Sequence, residues 1–149
     1  MFNLLSKPIE ASTNLFELAD LCAGLVSELI ETDSDAERLA LCGRLQYCLT
    51  ALNEKCFEDL PPALIERLTV DVLPPSRTPA YYYADTVMIN YALALTTALL
   101  SRAMSRGIED DLSGLLHDVV CLVAGELKQP RFIRTPEGIK TITGEGNHE

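Results

Sequence analysis

A chain of 149 residues with 48% hydrophobic content is long and apolar enough to bury one sizeable core, which excludes a disordered chain. Its net charge of −10 repels nucleic-acid phosphate, so direct binding of DNA or RNA is disfavoured. The five cysteines are odd in number and sit mostly at apolar helical positions; with no apparent secretory leader they read as buried thiols in a reducing compartment, and the cytoplasm is the expected location.

Residues 1–11 read as a lead-in, with Pro8 keeping Phe2, Leu4 and Leu5 out of a helix interior. The first predicted helix covers about 13–31, with Ser12 or Thr13 as its cap. Leu15, Leu18, Cys22, Leu25 and Leu29 recur at helical spacing and mark its buried stripe. Glu17, Asp20, Glu28 and Glu31 lie on the other side and form an acidic face. Thr32-Asp33 is a turn, and Ser34 with Glu37 three residues on is a capping-box pattern. The second helix follows over about 34–58, with Leu41, Cys42, Leu45, Cys48, Leu49, Leu52 and Cys56 inward. A loop this short makes an antiparallel helical hairpin.

Pro61-Pro62 starts a short helix over about 62–72, although Thr69, Val70 and Val72 also suit an extended segment. Pro74-Pro75-Ser76-Arg77 is a stiff connector. The longest predicted helix runs over about 79–106, capped by Thr78 with Pro79 at its first position and closed by Gly107. Ala84, Met88, Tyr91, Leu95, Leu99 and Met104 fall close to one face, and further apolar residues spread around it. Its uncharged run, 86–101, is shorter than the ~20 residues of a membrane span. The small polar residues Thr86, Asn90, Thr97, Ser101 and Ser105 form a stripe with two readings. Either their hydroxyls bond back to their own helix at a solvent edge, or the stripe permits close approach of another helix, including one from a second copy. Asp111 belongs to the acidic start of a last helix over about 109–128, nearly as apolar. Gly114 and Gly125 within it suggest close packing on the longest helix. Residues 131–143 are expected to lie irregularly along the bundle or to form a short hairpin across Pro136-Glu137-Gly138. The expected organisation is one helical domain over 1–143 and a disordered tail over 144–149.

Few residue patterns point to chemistry. Glu28-Leu-Ile-Glu31 has the ExxE form with which all-helical nucleotide pyrophosphatases hold Mg²⁺. Those enzymes add an ExxD on a facing helix; none is expected in this chain, and Glu109-Asp110-Asp111 and Glu126 could substitute only with different geometry, Asp111 being the ligand taken with Glu28 and Glu31. His117 and Cys121 stand four apart, a spacing that puts two metal-capable atoms on one helix face, but no CxxC supports a zinc site. A G-x-S-x-G elbow and a P-loop are both missing from the sequence. The acidic run from Glu10 to Glu37 could dock a basic partner or imitate nucleic-acid phosphates.

Tyr81, Tyr82 and Tyr83 are the best candidates for an interface, because successive tyrosines point in different directions and Tyr is enriched in protein contacts. The reading is therefore an all-α bundle of four main helices plus a short one, acting as a non-enzymatic, self-associating regulatory or adaptor module. Tyr81, Tyr82, Tyr83, Asn90, Thr97 and Ser101 are its expected contact residues, with the Glu17–Glu31 face steering a basic protein partner. No cofactor, nucleic acid or membrane is expected. The alternatives are a Mg²⁺-dependent nucleotide hydrolase, an acidic nucleic-acid mimic, and an apolar-ligand pocket between the last two helices.

Overall fold

The computed structural model describes residues 2–75 and 81–142. Four long helices dominate them: α2 (Leu15–Glu31), α3 (Asp35–Lys55), α5 (Asp85–Ser101) and α6 (Arg106–Leu127). Two short helices, α1 (Phe2–Ser6) and α4 (Pro62–Arg67), and three strands, β1 (Thr69–Val70), β2 (Phe132–Thr135) and β3 (Gly138–Thr141), complete the fold. It is the all-α bundle expected, with a small sheet added.

Each long helix packs on two others, so α2, α3, α5 and α6 form a square in section. Their directions follow from pairs at the ends. Arg38, early in α3, meets Asp110, early in α6, at 3.4 Å. Arg102, just after α5, approaches Asp35 at the start of α3, at 3.8 Å. At the opposite end Lys128, after α6, pairs with Asp20 in the first half of α2. The bundle is therefore up-down-up-down, with two tight turns at one end. The long α3–α5 connection, carrying α4 and β1, lies at the other end, where the strands after α6 join it.

The core is leucine-rich. Leu18, Leu25 and Leu29 of α2 meet Leu41, Leu45, Leu49 and Leu52 of α3, and all are essentially inaccessible. Ile89 and Ala92 of α5 and Leu116, Val120 and Val123 of α6 close the other half. These residues recur at three- and four-residue intervals, the spacing that turns one helix face inward.

Several boundaries differ from expectation, each for a local reason. α2 starts one residue later than the predicted caps allow, because Asn14 makes a complete capping box: its side chain accepts from Glu17 N at 2.8 Å, and Glu17 Oε1 accepts from Asn14 N at 2.9 Å. Ser34 caps α3 as expected, accepting from Glu37 N at 3.2 Å. α5 is shorter than the 79–106 helix: it opens at Asp85 with extended Ala84 as its cap, and closes at Ser101. Thr78 and Pro79 lie outside the described residues. Gly107 does not close a helix. Arg102 takes the left-handed conformation instead, at φ 55°, and Ser105 caps α6 by accepting from Ile108 N at 3.4 Å. Against the expected helices over 79–106 and 109–128, the first thus ends five residues earlier and the second starts three residues earlier.

At the N-terminal side, α1 forms despite Pro8, which lies beyond its end; Leu4 and Leu5 pack on the core and Leu4 covers Gly24 of α2. The short helix stops at Arg67 rather than running to 72, and Thr69–Val70 becomes β1, parallel to Phe132–Ile133. β2 and β3 form the antiparallel hairpin, with Gly138 at φ 117°, where a side chain would be strained. The segment over 131–142 is thus a hairpin, not an irregular tail, and Arg134 holds it to Glu66 at 2.7 Å and Asp71 at 3.2 Å. The expected disordered tail over 144–149 lies outside the described residues. Gly114 and Gly125 were expected to mark close packing; a Cβ at either would meet nothing within 4 Å.

Candidate functional site

An open, largely apolar concave surface runs between α5 and α6. It has a volume of about 630 Å³ and is lined by Met88, Tyr91, Ala94 and Leu95 of α5, Leu115, Asp118 and Val119 of α6, and Tyr81 and Tyr83 before α5. Two other cavities lie inside the bundle and are small enough to hold about one water or none.

The helical period builds this groove. Met88, Ala92 and Leu99 turn inward, whereas Tyr91 and Ala94 point out and toward α6. On α6, Leu116, Val120 and Val123 face the core, which leaves Leu115, Asp118 and Val119 on the side next to α5. Tyr81 is 63%, Tyr83 69%, Tyr91 49% and Leu115 50% exposed, so the walls of the groove are open to solvent. Tyr83 and Tyr91 meet edge to face, with centroids 6.4 Å apart and planes at 85°. That is a favourable arrangement for two aromatic quadrupoles, and it holds both rings over the groove.

Tyr82 does a different job from its neighbours. Half-buried, it donates its hydroxyl to Asp85, and Asp85 lies 3.6 Å from Arg131. Burial, and then this bond, push the phenol well above its ordinary range. Glu126 nearby is raised too, by burial and by Asp85. The sequence grouped all three tyrosines as contact residues; the structure separates an anchor, Tyr82, from two exposed rings, Tyr81 and Tyr83. None of the three lies in the helix.

The other expected contacts fall elsewhere. Asn90, Thr97 and Ser101 are exposed on α5 but do not line the groove. Thr97 donates to Leu93 O at 2.9 Å and Ser101 to Ala98 O at 2.6 Å, and Gln46 Nε2 donates to Thr97 Oγ1 at 3.1 Å. Thr97 and Ser101 therefore bond back to their own helix, Thr97 also meets α3 of the same chain, and Ser105 of the same stripe caps α6 instead. Sequence reasoning did not name Asp118 as a contact residue and grouped Tyr91 on one face with Met88 and Leu99, which the structure separates. The signal was the split of the apolar positions of α5 into two faces, one at 88, 92 and 99 and one at 91, 94 and 95.

The acidic face is less continuous than its sequence. Glu17 is engaged in the cap, Asp20 is paired with Lys128, and Leu4 covers Gly24 between them and Glu28. Glu31 is exposed at the end of α2. Contrary to expectation the chain does hold an ExxD, Glu17-Leu-Ala-Asp20, but it lies on the same helix as Glu28-Leu-Ile-Glu31. Eleven residues of helix separate Glu17 from Glu28, roughly 16 Å, too far for one ion. Among the described residues no three His, Cys, Asp or Glu side chains form a metal cluster, so Glu28, Glu31 and Asp111 are not brought together.

His117 and Cys121 do meet, with Nε2 3.6 Å from Sγ, and Asp118 Oδ1 lies 3.3 Å from Nδ1. The order of groups resembles that of a nucleophile, a base and its orienter. Burial and Asp118 push the thiol up, the wrong direction for a thiolate nucleophile. All three groups also lie mid-helix, where the backbone N–H groups are committed to the helix and cannot form an oxyanion hole.

A charged cluster closes the tight-turn end. Arg38, Glu109 and Ser113 are buried there. Arg38 Nη2 donates to Ser113 Oγ at 3.3 Å, and Arg102 Nε approaches Glu109 Oε2 at 3.4 Å without hydrogen-bond alignment. Each carboxylate in it has an arginine, so the cluster reads as a structural lock. No described helix is long and apolar enough to cross a membrane. Compared with protein-family models, curated proteins and solved structures, the chain matches none.

Proposed function

We propose that this chain is a non-enzymatic protein-interaction module that receives its partner in the α5–α6 groove. The observation that carries the reading is the contiguity of Tyr81, Tyr83, Tyr91 and Leu115 over one concave surface. Single exposed apolar residues are ordinary, whereas a joined patch of them marks a binding surface. Tyr offers large, stiff contact area with a polar tip, which is why it is enriched in interfaces. A small molecule is a poorer occupant. Ligand pockets bury most of a ligand's surface, and these walls are themselves about half open. The acidic surface of α2 supports long-range steering of a basic partner, and the cytoplasm remains the proposed location.

The test is affinity capture from the native host with the natural chain and with a Tyr91→Ser/Leu115→Ser double variant. Both side chains are exposed, so the variant keeps its melting temperature within a degree or two, roughly. Proteins captured by the natural chain are lost with the variant. Equal capture by both removes the reading. Light scattering on the purified chain reads whether a second copy is the partner.

A further inference from the structure

We propose that the groove takes an amphipathic helix with Lys or Arg flanking its apolar stripe; this rests on the groove being the contact surface. The first argument is charge. Residues 81–101 and 107–127 contain Asp85, Glu109, Asp110, Asp111, Asp118 and Glu126 but no Lys or Arg. Asp85 is paired with Arg131, Glu109 with Arg102, and Asp110 with Arg38 and Arg106. Asp111, Asp118 and Glu126 have no Lys or Arg ion pair among the described residues. Asp118 is 80% exposed and lines the groove, and among the described residues its one hydrogen-bond or ion-pair partner is His117. Asp111 lies seven residues earlier, two turns away on the same face.

The same charges argue against a second copy as occupant. An isologous contact sets one face against itself. It would bring two sets of carboxylates together with no Lys or Arg in either helical stretch, and like charges at an interface are unfavourable.

The second argument is shape. The floor and walls follow two antiparallel helices, with Met88, Tyr91 and Leu95 on one and Leu115 and Val119 on the other. From Met88 to Leu95 is seven residues, or about 10 Å along the axis. That is the interval over which a docked helix places anchors at i, i+3 or i+4, and i+7. The tyrosine faces give a Lys or Arg on that helix a second attraction besides Asp118, since a cation over an aromatic face is stabilised and its methylenes cover the ring.

The test uses three synthetic peptides of about 18 residues, long enough to hold helix. One places Leu on one face and Lys on the other, the second replaces Lys by Glu, and the third shuffles the Leu/Lys sequence to destroy the face. By calorimetry the amphipathic Leu/Lys peptide binds at least about tenfold more tightly than the other two. Tyr91→Ser and Leu115→Ser each weaken it about tenfold, and Asp118→Lys shifts preference toward the Leu/Glu peptide. Glu54→Lys makes the same change in net charge at an exposed position of α3 that does not line the groove, and leaves affinity within about twofold.

Binding that the shuffled peptide matches, or that Glu54→Lys weakens as much as Asp118→Lys, is general attraction to an acidic chain and overturns the proposal. If the Leu/Glu peptide binds equally and Tyr91→Ser weakens both, the basic partner is wrong while the groove stands as a contact surface. A dimer that Tyr91→Ser splits also overturns the proposal, in favour of a second copy, and again leaves the groove as an interface. If no peptide binds and the chain is a monomer, the proposal fails, and equal capture in the host experiment then removes the groove reading as well.

Discussion

Gly114 and Gly125 show how a residue can be read correctly as unfavourable and wrongly as useful. Both weaken α6, since Gly in a helix interior is about 1 kcal/mol worse than Ala. The sequence offered close packing as compensation, but the space around each is open. Gly114→Ala and Gly125→Ala are therefore each expected to raise unfolding stability by about 0.5–1 kcal/mol, as measured by urea denaturation. Glu126 gives a pH signature. Its carboxyl is raised in the folded chain, first by burial and then by Asp85. A group raised on folding holds its proton more tightly in the native state, so the stability it contributes is complete below the ordinary glutamate range and is lost as pH rises through the folded value. Glu126→Gln is expected to be more stable than the natural chain at neutral pH and equal to it at low pH. Melting temperatures across that range check it; a difference that grows as pH falls would reverse the sign and dismiss the account.

Helix starts were legible where a single capping residue stands alone in the sequence and illegible where several candidates compete or where distant contacts set the boundary. Ser34 was found from its motif, and its bond to Glu37 N is present. The complete cap at Asn14 escaped because Ser12 and Thr13 compete for the role in sequence, although only Asn14 has Glu three residues on. Asn14→Ala removes the side-chain acceptor of the Glu17 N–H and leaves only the backbone donor to Glu17 Oε1, and it is expected to destabilise the chain by about 1 kcal/mol in the same denaturation measurement. Arg102 stopped α5 unannounced. A non-glycine residue in the left-handed region is uncommon, and what holds it here is contact with Asp35 and Glu109, far away in sequence or in the next helix. β1 was half-seen in Thr69, Val70 and Val72, but its parallel partner lies more than sixty residues later, beyond any local pattern.

The bundle as a whole follows from apolar periodicity, because four stripes of Leu, Val, Ile and Cys can be hidden only against one another. What periodicity could not divide was the surplus apolar surface of α5 and α6: part is core and part is groove, and only the angle between the two helices assigns each residue. The thiols belong to this scale. Burial raises Cys42, Cys48 and Cys56 to about 11, and it raises Cys22 and Cys121 as well. A chromogenic disulfide reagent near pH 8 is expected to react slowly with the native chain and rapidly with all five thiols in denaturant. Rapid native reaction of Cys22 or Cys48 would mean that α2 and α3 separate readily, against the sealed interior drawn here.

The placement of the aromatic residues also makes the chain its own reporter. There is no Trp, and of five Tyr only Tyr47 lies away from the region of the α5–α6 surface. Near-ultraviolet dichroism and intrinsic emission will therefore be dominated by Tyr81, Tyr82, Tyr83 and Tyr91. A change in either signal on adding a non-aromatic compound reads events at that one surface, with no label attached.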